Sequence, residues 1–285
     1  MKLALGTVQF GLDYGISNKD GKVAVDEVAK ILASAKTHHI STLDTGSAYG
    51  NSEQVLGDAL HAGGLHFDII DKIPDLETSK LSIQQTLEQA LKKLRLPHLE
   101  GLLFHNCADL NDDSYAQLSA LKAQGLVKKI GVSVYYPKQA STLSQRYDLD
   151  LIQCPLNLFD QSFIHSGCID QLKSKGIEVH ARSLFLQGLL LMDPLVLGEY
   201  FAPYQPLFER LSTFCREMNI TRQVAALKMA HVHQGVDKIV VGVCSQQQLE
   251  EVVQAYQLAK QIDFDVAPLR CHEEALTSPF LWPQQ

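Results

Sequence analysis

The feature that most constrains the fold is a series of eight short, nearly all-apolar runs, separated by stretches long enough for one helix each. Such runs are typical of strands buried on both faces of a parallel sheet. Eight repeats of strand and helix predict a (β/α)8 TIM barrel with eight parallel strands, surrounding helices and a short C-terminal tail over the barrel. The runs are 3–7, 41–44, 67–72, 101–105, 130–134, 151–154, 177–181 and 238–243.

The intervening segments show helical periodicity. Apolar residues repeat at near 3.6 spacing from Leu81 to Leu94 before Pro97, and Ser245 is a natural N-cap for the helix after the eighth run. An open doubly wound sheet is the alternative fold, but the chain lacks the GxGxxG turn with which such a sheet holds a dinucleotide. A length of 285 residues suits a single barrel domain, residues 1–285.

Composition narrows the classes of function. The formal net charge of -7 and the pI of about 5.9 argue against nucleic acid as a partner. No apolar stretch approaches the roughly 20 residues of a membrane span, and the N-terminus does not resemble a signal peptide. The six cysteines form no CxxC pair, so we expect free thiols and a cytoplasmic protein. The sequence leaves the oligomeric state open.

Four polar residues lie at or just after the ends of the second, third and fourth predicted strands: Asp44, Tyr49, Lys72 and His105. Strand ends at this face of a barrel carry the chemistry, so we expect the four to converge. A tyrosine is a weak acid at neutral pH unless a cation stabilises its phenolate, and Lys72 would be that cation. Asp44 would hold Lys72 charged, and His105 would polarise a carbonyl oxygen.

A structural role is the competing interpretation for each residue taken alone. The segment from Asp44 to Ser47 has good turn chemistry, and Tyr49 and His105 could simply pack. Lys72 is harder to explain in this way, because a lysine at the end of a buried strand needs an acidic partner. The four residues together are more specific than any one.

The segment Leu43-Asp44-Thr45-Gly46-Ser47-Ala48-Tyr49-Gly50-Asn51-Ser52-Glu53 resembles the DT-x3-YG-x-SE signature of the aldo/keto reductase family. The likeness runs from residue 3 to about residue 260. It implies reduction of a small-molecule aldehyde or ketone with a nicotinamide cofactor and no metal. In this role Tyr49 is the general acid, Lys72 lowers its pKa, Asp44 pairs with Lys72, and His105 positions the carbonyl.

The resemblance also implies a set of cofactor-binding residues. Ser133 and Gln153 would hold the nicotinamide carboxamide, and Arg182 stands where the family usually has a tyrosine that stacks on the ring. Gly242 and Gln248 replace residues that are often Lys and Arg near the 2′-phosphate, while backbone N–H groups at the helix start remain available. NADPH is the expected cofactor, with weakened selectivity, and NADH is the alternative. The full set is Ser133, Gln153, Arg182, Ser183, Gln187, Gly188, Gly242, Cys244, Gln248 and Glu251.

Two other functions stay open at this point. Lys72 could be the Schiff-base nucleophile of a lyase, provided that its pKa is lowered in an apolar site. The chain could also be a nicotinamide-binding regulatory subunit with little turnover. His231 and His233 are unsuited to a metal site if their segment is helical, because the two rings would diverge. Aromatic residues expected to line the substrate pocket are Phe10, Tyr14, Phe159, Phe163, Phe185 and Trp282.

Overall fold

The computed structural model describes residues 1–283, and within them eight parallel strands close into a barrel in sequence order. Each strand pairs with the next, and β1 pairs with β8 through partners such as Leu5 and Val241. The predicted (β/α)8 fold is confirmed. The strands are β1 Leu3–Gly6, β2 Thr42–Asp44, β3 Asp68–Ile73, β4 Leu99–Phe104, β5 Val127–Ser133, β6 Leu151–Pro155, β7 Glu178–Arg182 and β8 Lys238–Gly242.

Two strands begin earlier than the apolar pattern predicts. β4 begins two residues before the predicted run and β5 three residues before it. The starts of these strands carry Glu100, Lys128 and Lys129, which interrupt the apolar run. These side chains form ion pairs at the rim, with Lys129 Nζ 3.1 Å from Glu100 Oε1 and Lys128 Nζ 2.9 Å from Glu100 Oε2. A hydrophobicity pattern therefore misses these strand starts, because their residues are charged and form ion pairs between neighbouring strands.

Helices surround the strands, and their starts follow local capping chemistry. Ser82 and Gln85 form a capping box at the start of the predicted helix in the 81–94 region, and the Ser245 hydroxyl accepts from the Gln248 backbone N–H as predicted. The helices are α1 Val8–Gly11, α2 Val25–Thr37, α3 Ser52–Gly63, α4 Ile83–Leu94, α5 Asp112–Ala123, α6 Pro137–Arg146, α7 Ser162–His165, α8 Cys168–Ser174, α9 Gln205–Glu217, α10 Arg222–Val232, α11 Gln246–Gln261 and α12 Glu274–Thr277. Among them, none has both the length and the apolar character that a membrane crossing requires.

The inside of the barrel is filled by an apolar layer of Ile70, Leu103 and Leu151, each at most 1% exposed. Side chains two residues apart on a strand share a face, so the next inward positions toward the mouth are polar. On β3 that position is Lys72, and on β6 it is Gln153. The polar side chains therefore lie at the bottom of the barrel mouth, directly above the apolar layer that fills the barrel.

The C-terminal tail lies against one side of the mouth, as the sequence predicts. The Phe280 ring packs edge-on against Tyr135, with centroids 4.7 Å apart. Tyr136 donates from its hydroxyl to Glu274 at 2.5 Å, which ties α12 to the start of α6. The tail thus covers the loop that follows β5.

We expect Gly131→Ala to destabilise the barrel, because a Cβ at this position of β5 would lie 2.0 Å from the Leu151 carbonyl oxygen. Relief requires β5 and β6 to separate, and overpacking of this kind costs about 1–3 kcal/mol. Urea unfolding measures the loss. Gly198→Ala is the matched control, since nothing lies within 4 Å of a Cβ there. Equal unfolding midpoints for the two variants would contradict the close approach of β5 and β6.

Candidate active site

A buried ion pair lies at the mouth of the barrel, where β2 and β3 end. Lys72 Nζ is 2.5 Å from Asp44 Oδ1 and donates to the Thr45 carbonyl oxygen at 2.8 Å. The second Asp44 oxygen accepts from Gln153 Nε2 at 2.8 Å. Lys72 is 1% exposed and Asp44 4%. The ammonium is therefore neutralised by a carboxylate of β2 and held by a carbonyl of the loop after it, while Gln153 from β6 fixes the carboxylate.

Tyr49 lies directly against this pair, with Lys72 Nζ 5.1 Å from the centre of its ring. A glycine at position 46 makes this placement possible, because a Cβ there would come within 3.3 Å of the Tyr49 ring. The loop is anchored from behind by Ser52, whose hydroxyl donates to the Thr7 carbonyl at 2.9 Å. Glu53 in turn accepts from Lys93 Nζ at 2.6 Å. The Ser and Glu of the sequence motif thus hold the segment in place from behind, while Tyr49 lines the cleft.

His105, one residue past β4, lies beside Tyr49 at the same edge of the barrel mouth. Its ring meets the Tyr49 ring at 84°, with the ring centres 5.7 Å apart. Burial, helped by the positive charges of Lys72 and Arg182, lowers the pKa of His105 to about 4. His105 is therefore neutral at physiological pH, able to donate one hydrogen bond without carrying charge.

Electrostatics at Lys72 and Tyr49 follow from burial and from their mutual contact. Burial alone would lower the pKa of Lys72, but the Asp44 carboxylate and Tyr49 outweigh it, so the pKa of Lys72 is raised and the side chain stays charged. Lys72 lowers the pKa of Tyr49, as the sequence predicts, but it does not bring that pKa below its usual value. Burial raises the pKa of Tyr49, and Lys72 offsets this only in part. At neutral pH the phenol therefore keeps its proton.

A single cleft of about 610 Å³ extends from this corner to the start of α11, within the size range of small-molecule sites. Most of the residues that the sequence predicts for the site line it. They are Asp44, Tyr49, His105, Gln153, Arg182, Ser183, Gln187, Gly188, Gly242, Cys244, Gln248 and Glu251. Lys72 lies behind Tyr49. The predicted residues thus occupy one continuous surface rather than scattered positions.

Ser133 is placed differently from the expectation. It is 2% exposed and does not line the cleft, because the Arg182 guanidinium covers it and donates to its hydroxyl from Nε at 3.2 Å. A side chain longer than the usual tyrosine reaches across from β7 to β5. The hydroxyl expected to face a carboxamide is therefore occupied by Arg182.

Gln153 retains an unused acceptor that suits a carboxamide ligand. Its Nε2 is bonded to Asp44, which fixes the amide orientation, while its buried Oε1 has no partner within residues 1–283. A buried acceptor without a donor is costly, so a ligand N–H at this point would be stabilising. The NH2 of a nicotinamide carboxamide fits this acceptor.

At the start of α11, at the far end of the cleft, fewer backbone N–H groups are available to a ligand than the sequence suggests. Three of its backbone N–H groups are already satisfied: Cys244 by Gln248 Oε1 at 2.8 Å, Gln246 by Glu27 Oε1 at 2.8 Å, and Gln248 by the Ser245 hydroxyl at 3.1 Å. The expectation of freely available N–H groups for a phosphate is corrected accordingly. A carboxylate, not a cation, sits on the first turn of α11.

Several residues of the cleft escaped the sequence reasoning. Gln9 has a buried Oε1 without a partner in the described part of the chain, and Tyr135 stacks beside Arg182. The loop between α1 and α2 adds Gly15 and residues 17–20. This loop contacts Gly188 so closely that a Cβ there would lie 1.7 Å from the Ser17 hydroxyl. A long polar loop has no hydrophobic periodicity, so its position over the cleft could not be predicted from the sequence.

Of the aromatic residues expected at the substrate pocket, Tyr14 and Phe185 line the cleft. Phe10, Phe159 and Phe163 are fully buried, and Trp282 packs against Phe201 with its indole N–H donated to the Leu276 carbonyl. These four are core or tail residues because their helices and loops turn them away from the mouth. His231 lies in α10 and His233 just beyond it, and no metal-binding cluster of His, Cys, Asp or Glu occurs among residues 1–283.

The fold agrees with the comparison with known families. The model of the aldo/keto reductase family matches residues 2–267. The chain therefore belongs to the aldo/keto reductase family, whose members are oxidoreductases that use nicotinamide cofactors.

Solved structures share the fold at low identity. An aldo-keto reductase from Bacillus halodurans, in its holo form, is 19% identical with a TM-score of 0.74 over 99% of this chain and 94% of that one. A glycerol dehydrogenase from Gluconobacter oxydans is 20% identical with a TM-score of 0.71 over 100% and 94%. A candidate aldo-keto reductase from Pseudomonas aeruginosa is 22% identical with a TM-score of 0.68 over 91% and 90%. A search of curated protein sequences finds no match to this chain.

The low pKa of His105 predicts a pH-dependent contribution to stability. The unfolded chain takes up this proton near pH 6.5, whereas the folded protein takes it up near pH 4. Between these values the unfolded state binds more protons, so stability falls as pH falls, by up to about 3 kcal/mol. Urea unfolding at pH 7 and pH 4.5 should show a smaller loss in His105→Gln than in the parent.

The control is His98→Gln, which removes an exposed histidine and should keep the pH dependence of the parent. If the parent and His105→Gln lose the same stability between the two pH values, His105 is not held neutral by its surroundings.

Proposed function

We propose that this protein reduces an aldehyde or ketone to an alcohol with NADPH or NADH, and that Tyr49 is the general acid. The observation that carries the proposal is the buried Lys72–Asp44 ion pair against Tyr49, at the edge of the cleft that His105 also lines. Neutral His105 and protonated Tyr49 both line the cleft, with ring centres 5.7 Å apart, so each has a donor available to a ligand bound between them. A carbonyl oxygen is the acceptor that such a pair of donors suits.

The residues of the cleft fit an extended nicotinamide dinucleotide. Gln153 Oε1 would accept from the carboxamide, and Arg182 would lie at the nicotinamide end in place of the buried Ser133. The middle of the cofactor would pass Ser183, Gln187 and Gly188, and the adenosine end would meet the four residues predicted near α11. These are Gly242, Cys244, Gln248 and Glu251.

The protein side of the reaction is a proton transfer. When bound, the reduced nicotinamide supplies a hydride to the carbonyl carbon. Tyr49 gives its proton to the carbonyl oxygen, and Lys72 stabilises the phenolate that is left, which offsets the burial that keeps the phenol protonated. Asp44 keeps Lys72 charged, and His105 orients the oxygen by a hydrogen bond. The phenolate then regains a proton from water, and the alcohol leaves.

Two alternatives receive less support. A Schiff-base nucleophile must be a neutral amine, whereas Asp44 raises the pKa of Lys72 and Tyr49 shields it from the cleft. A regulatory subunit without turnover would have no need of the full set of Asp44, Tyr49, Lys72 and His105. The small-molecule substrate and the cytoplasmic location inferred from sequence stay predictions.

Tyr49→Phe should lower kcat for model aldehydes by about 10²- to 10⁴-fold, because the proton donor is lost. Cofactor affinity, measured by the fluorescence of bound NADPH or NADH, should stay within a few-fold of the parent. The control is Tyr14→Phe, which removes the hydroxyl of another tyrosine in the same cleft. Reduction by Tyr49→Phe at near the parent rate, or a large loss in Tyr14→Phe alone, would move the role of acid away from Tyr49.

Selectivity for NADPH over NADH should be weak. Gln248 offers only a neutral side chain, already bonded to the Cys244 N–H, and Glu27 brings negative charge to the same helix start. A lost bond to a charged group is worth about 1.5–3 kcal/mol, or about one to two orders of magnitude in affinity. Gln248→Arg should therefore strengthen NADPH binding selectively, and more so at low salt.

The matched control is Gln247→Arg, since Gln247 is exposed on the same helix but does not line the cleft. Paired titrations of NADPH and NADH measure both variants. A parent that already prefers NADPH by several orders of magnitude, together with no effect of Gln248→Arg, would place the 2′-phosphate elsewhere.

A further inference from the structure

Arg182 is held rigidly at the end of β7. Its Nε donates to the Ser133 hydroxyl at 3.2 Å, Nη1 to the Ser183 hydroxyl at 3.1 Å, and Nη2 to the Val134 carbonyl at 3.1 Å. One face of the guanidinium lies over the Tyr135 ring, 4.5 Å from its centre. Bonds to three residues and a stacking partner fix the charge in position.

This charge has no counter-ion in the part of the chain that the structure describes. No carboxylate within residues 1–283 forms an ion pair with Arg182. Lys72 and Asp44 cancel each other, and His105 is neutral. The corner of the cleft therefore carries one net positive charge, and that charge belongs to Arg182. Its field reaches both His105 and Tyr49, since it lowers the pKa of each.

Arg182 also lies at the nicotinamide end of the cleft, if the proposed function is right. It covers Ser133, and it stands on the strand next to β6, which carries Gln153 and its unused acceptor. A carboxamide bound to Gln153 would place its ring beside the guanidinium. The oxidised nicotinamide ring is a cation, whereas the reduced ring is neutral.

We propose that Arg182 makes this site discriminate between the two redox states of the cofactor, so that the reduced form binds more tightly than the oxidised form. The inference rests on the proposed function. A fixed positive charge beside a cationic ring, at an effective dielectric constant near 20, repels it strongly enough to favour the neutral ring by about 10- to 100-fold. The hydrogen bonds of Arg182 prevent it from moving away. The site is thereby biased toward carbonyl reduction and release of the oxidised cofactor.

The test compares dissociation constants for the reduced and oxidised forms of both NADPH and NADH, measured by calorimetry without substrate. In the parent, the oxidised form should bind about 10- to 100-fold more weakly than the reduced form. Arg182→Met should reduce this ratio about 10-fold or more, chiefly by tightening the oxidised form. Arg182→Lys, which keeps the charge, should retain most of it. Arg146→Met removes an exposed arginine far along the chain on α6 and should change nothing.

The possible outcomes separate the role of Arg182 from the proposed function. Equal affinity for the two redox forms in the parent overturns the inference without any variant, and so does a ratio that Arg182→Met leaves unchanged. In both cases cofactor binding itself still supports the proposed function. Failure of the parent to bind any of the four cofactors overturns both proposals. An unchanged ratio in Arg182→Met, with selective loss of activity on aldehydes that bear a carboxylate, would assign the guanidinium to the substrate instead.

Discussion

The arrangement of the mouth depends on one buried charge. An ammonium such as that of Lys72, at 1% exposure, is stable only if an anion and hydrogen-bond acceptors replace water around it. Asp44 and the Thr45 carbonyl do so, and Gln153 satisfies the second oxygen of Asp44. Removing one partner of such a pair typically costs about 3–5 kcal/mol, because the other charge is left uncompensated. The positions of β2, β3 and β6 relative to one another are therefore tied to the same contacts that place Tyr49.

Much of this could be predicted from sequence because it follows from short-range rules. Burial on both faces makes the strands apolar, and alternation sends every second side chain inward, so Lys72 above Ile70 and His105 above Leu103 belong to the barrel interior. The turn that carries Tyr49 has its own signature, since Gly46 leaves room for the ring. The sequence around each strand end is therefore enough to predict that Tyr49, Lys72 and His105 lie close together, and the structure places them together.

The remaining features depend on side chains that meet across the mouth. Nothing in the sequence near Ser133 reveals that Arg182, 49 positions away, covers its hydroxyl. Glu27 reaches the Gln246 N–H from a helix 219 positions earlier in the chain. The starts of β4 and β5 are hidden because they carry charged residues, such as Glu100 and Lys129, that pair with each other across the two strands. Long-range partners of this kind have no periodicity or spacing that a single sequence could display.

The replacement of a neutral aromatic side chain by arginine changes the electrostatics of the site without disturbing its framework. Arg182 keeps the flat shape that can lie against a ring, and its bonds go to Ser133, Ser183 and a main-chain carbonyl rather than to a carboxylate. Burial is the main cause of the low pKa of His105, and the charge of Arg182 adds to it; the same charge lowers the pKa of Tyr49, which opposes the effect of burial there. The same charge therefore acts on both Tyr49 and His105, and under our proposal it also acts on the ring of a bound nicotinamide. The hydrogen bonds among Asp44, Lys72 and Gln153 do not involve Arg182, so a neutral residue at position 182 would remove its charge while leaving those contacts in place.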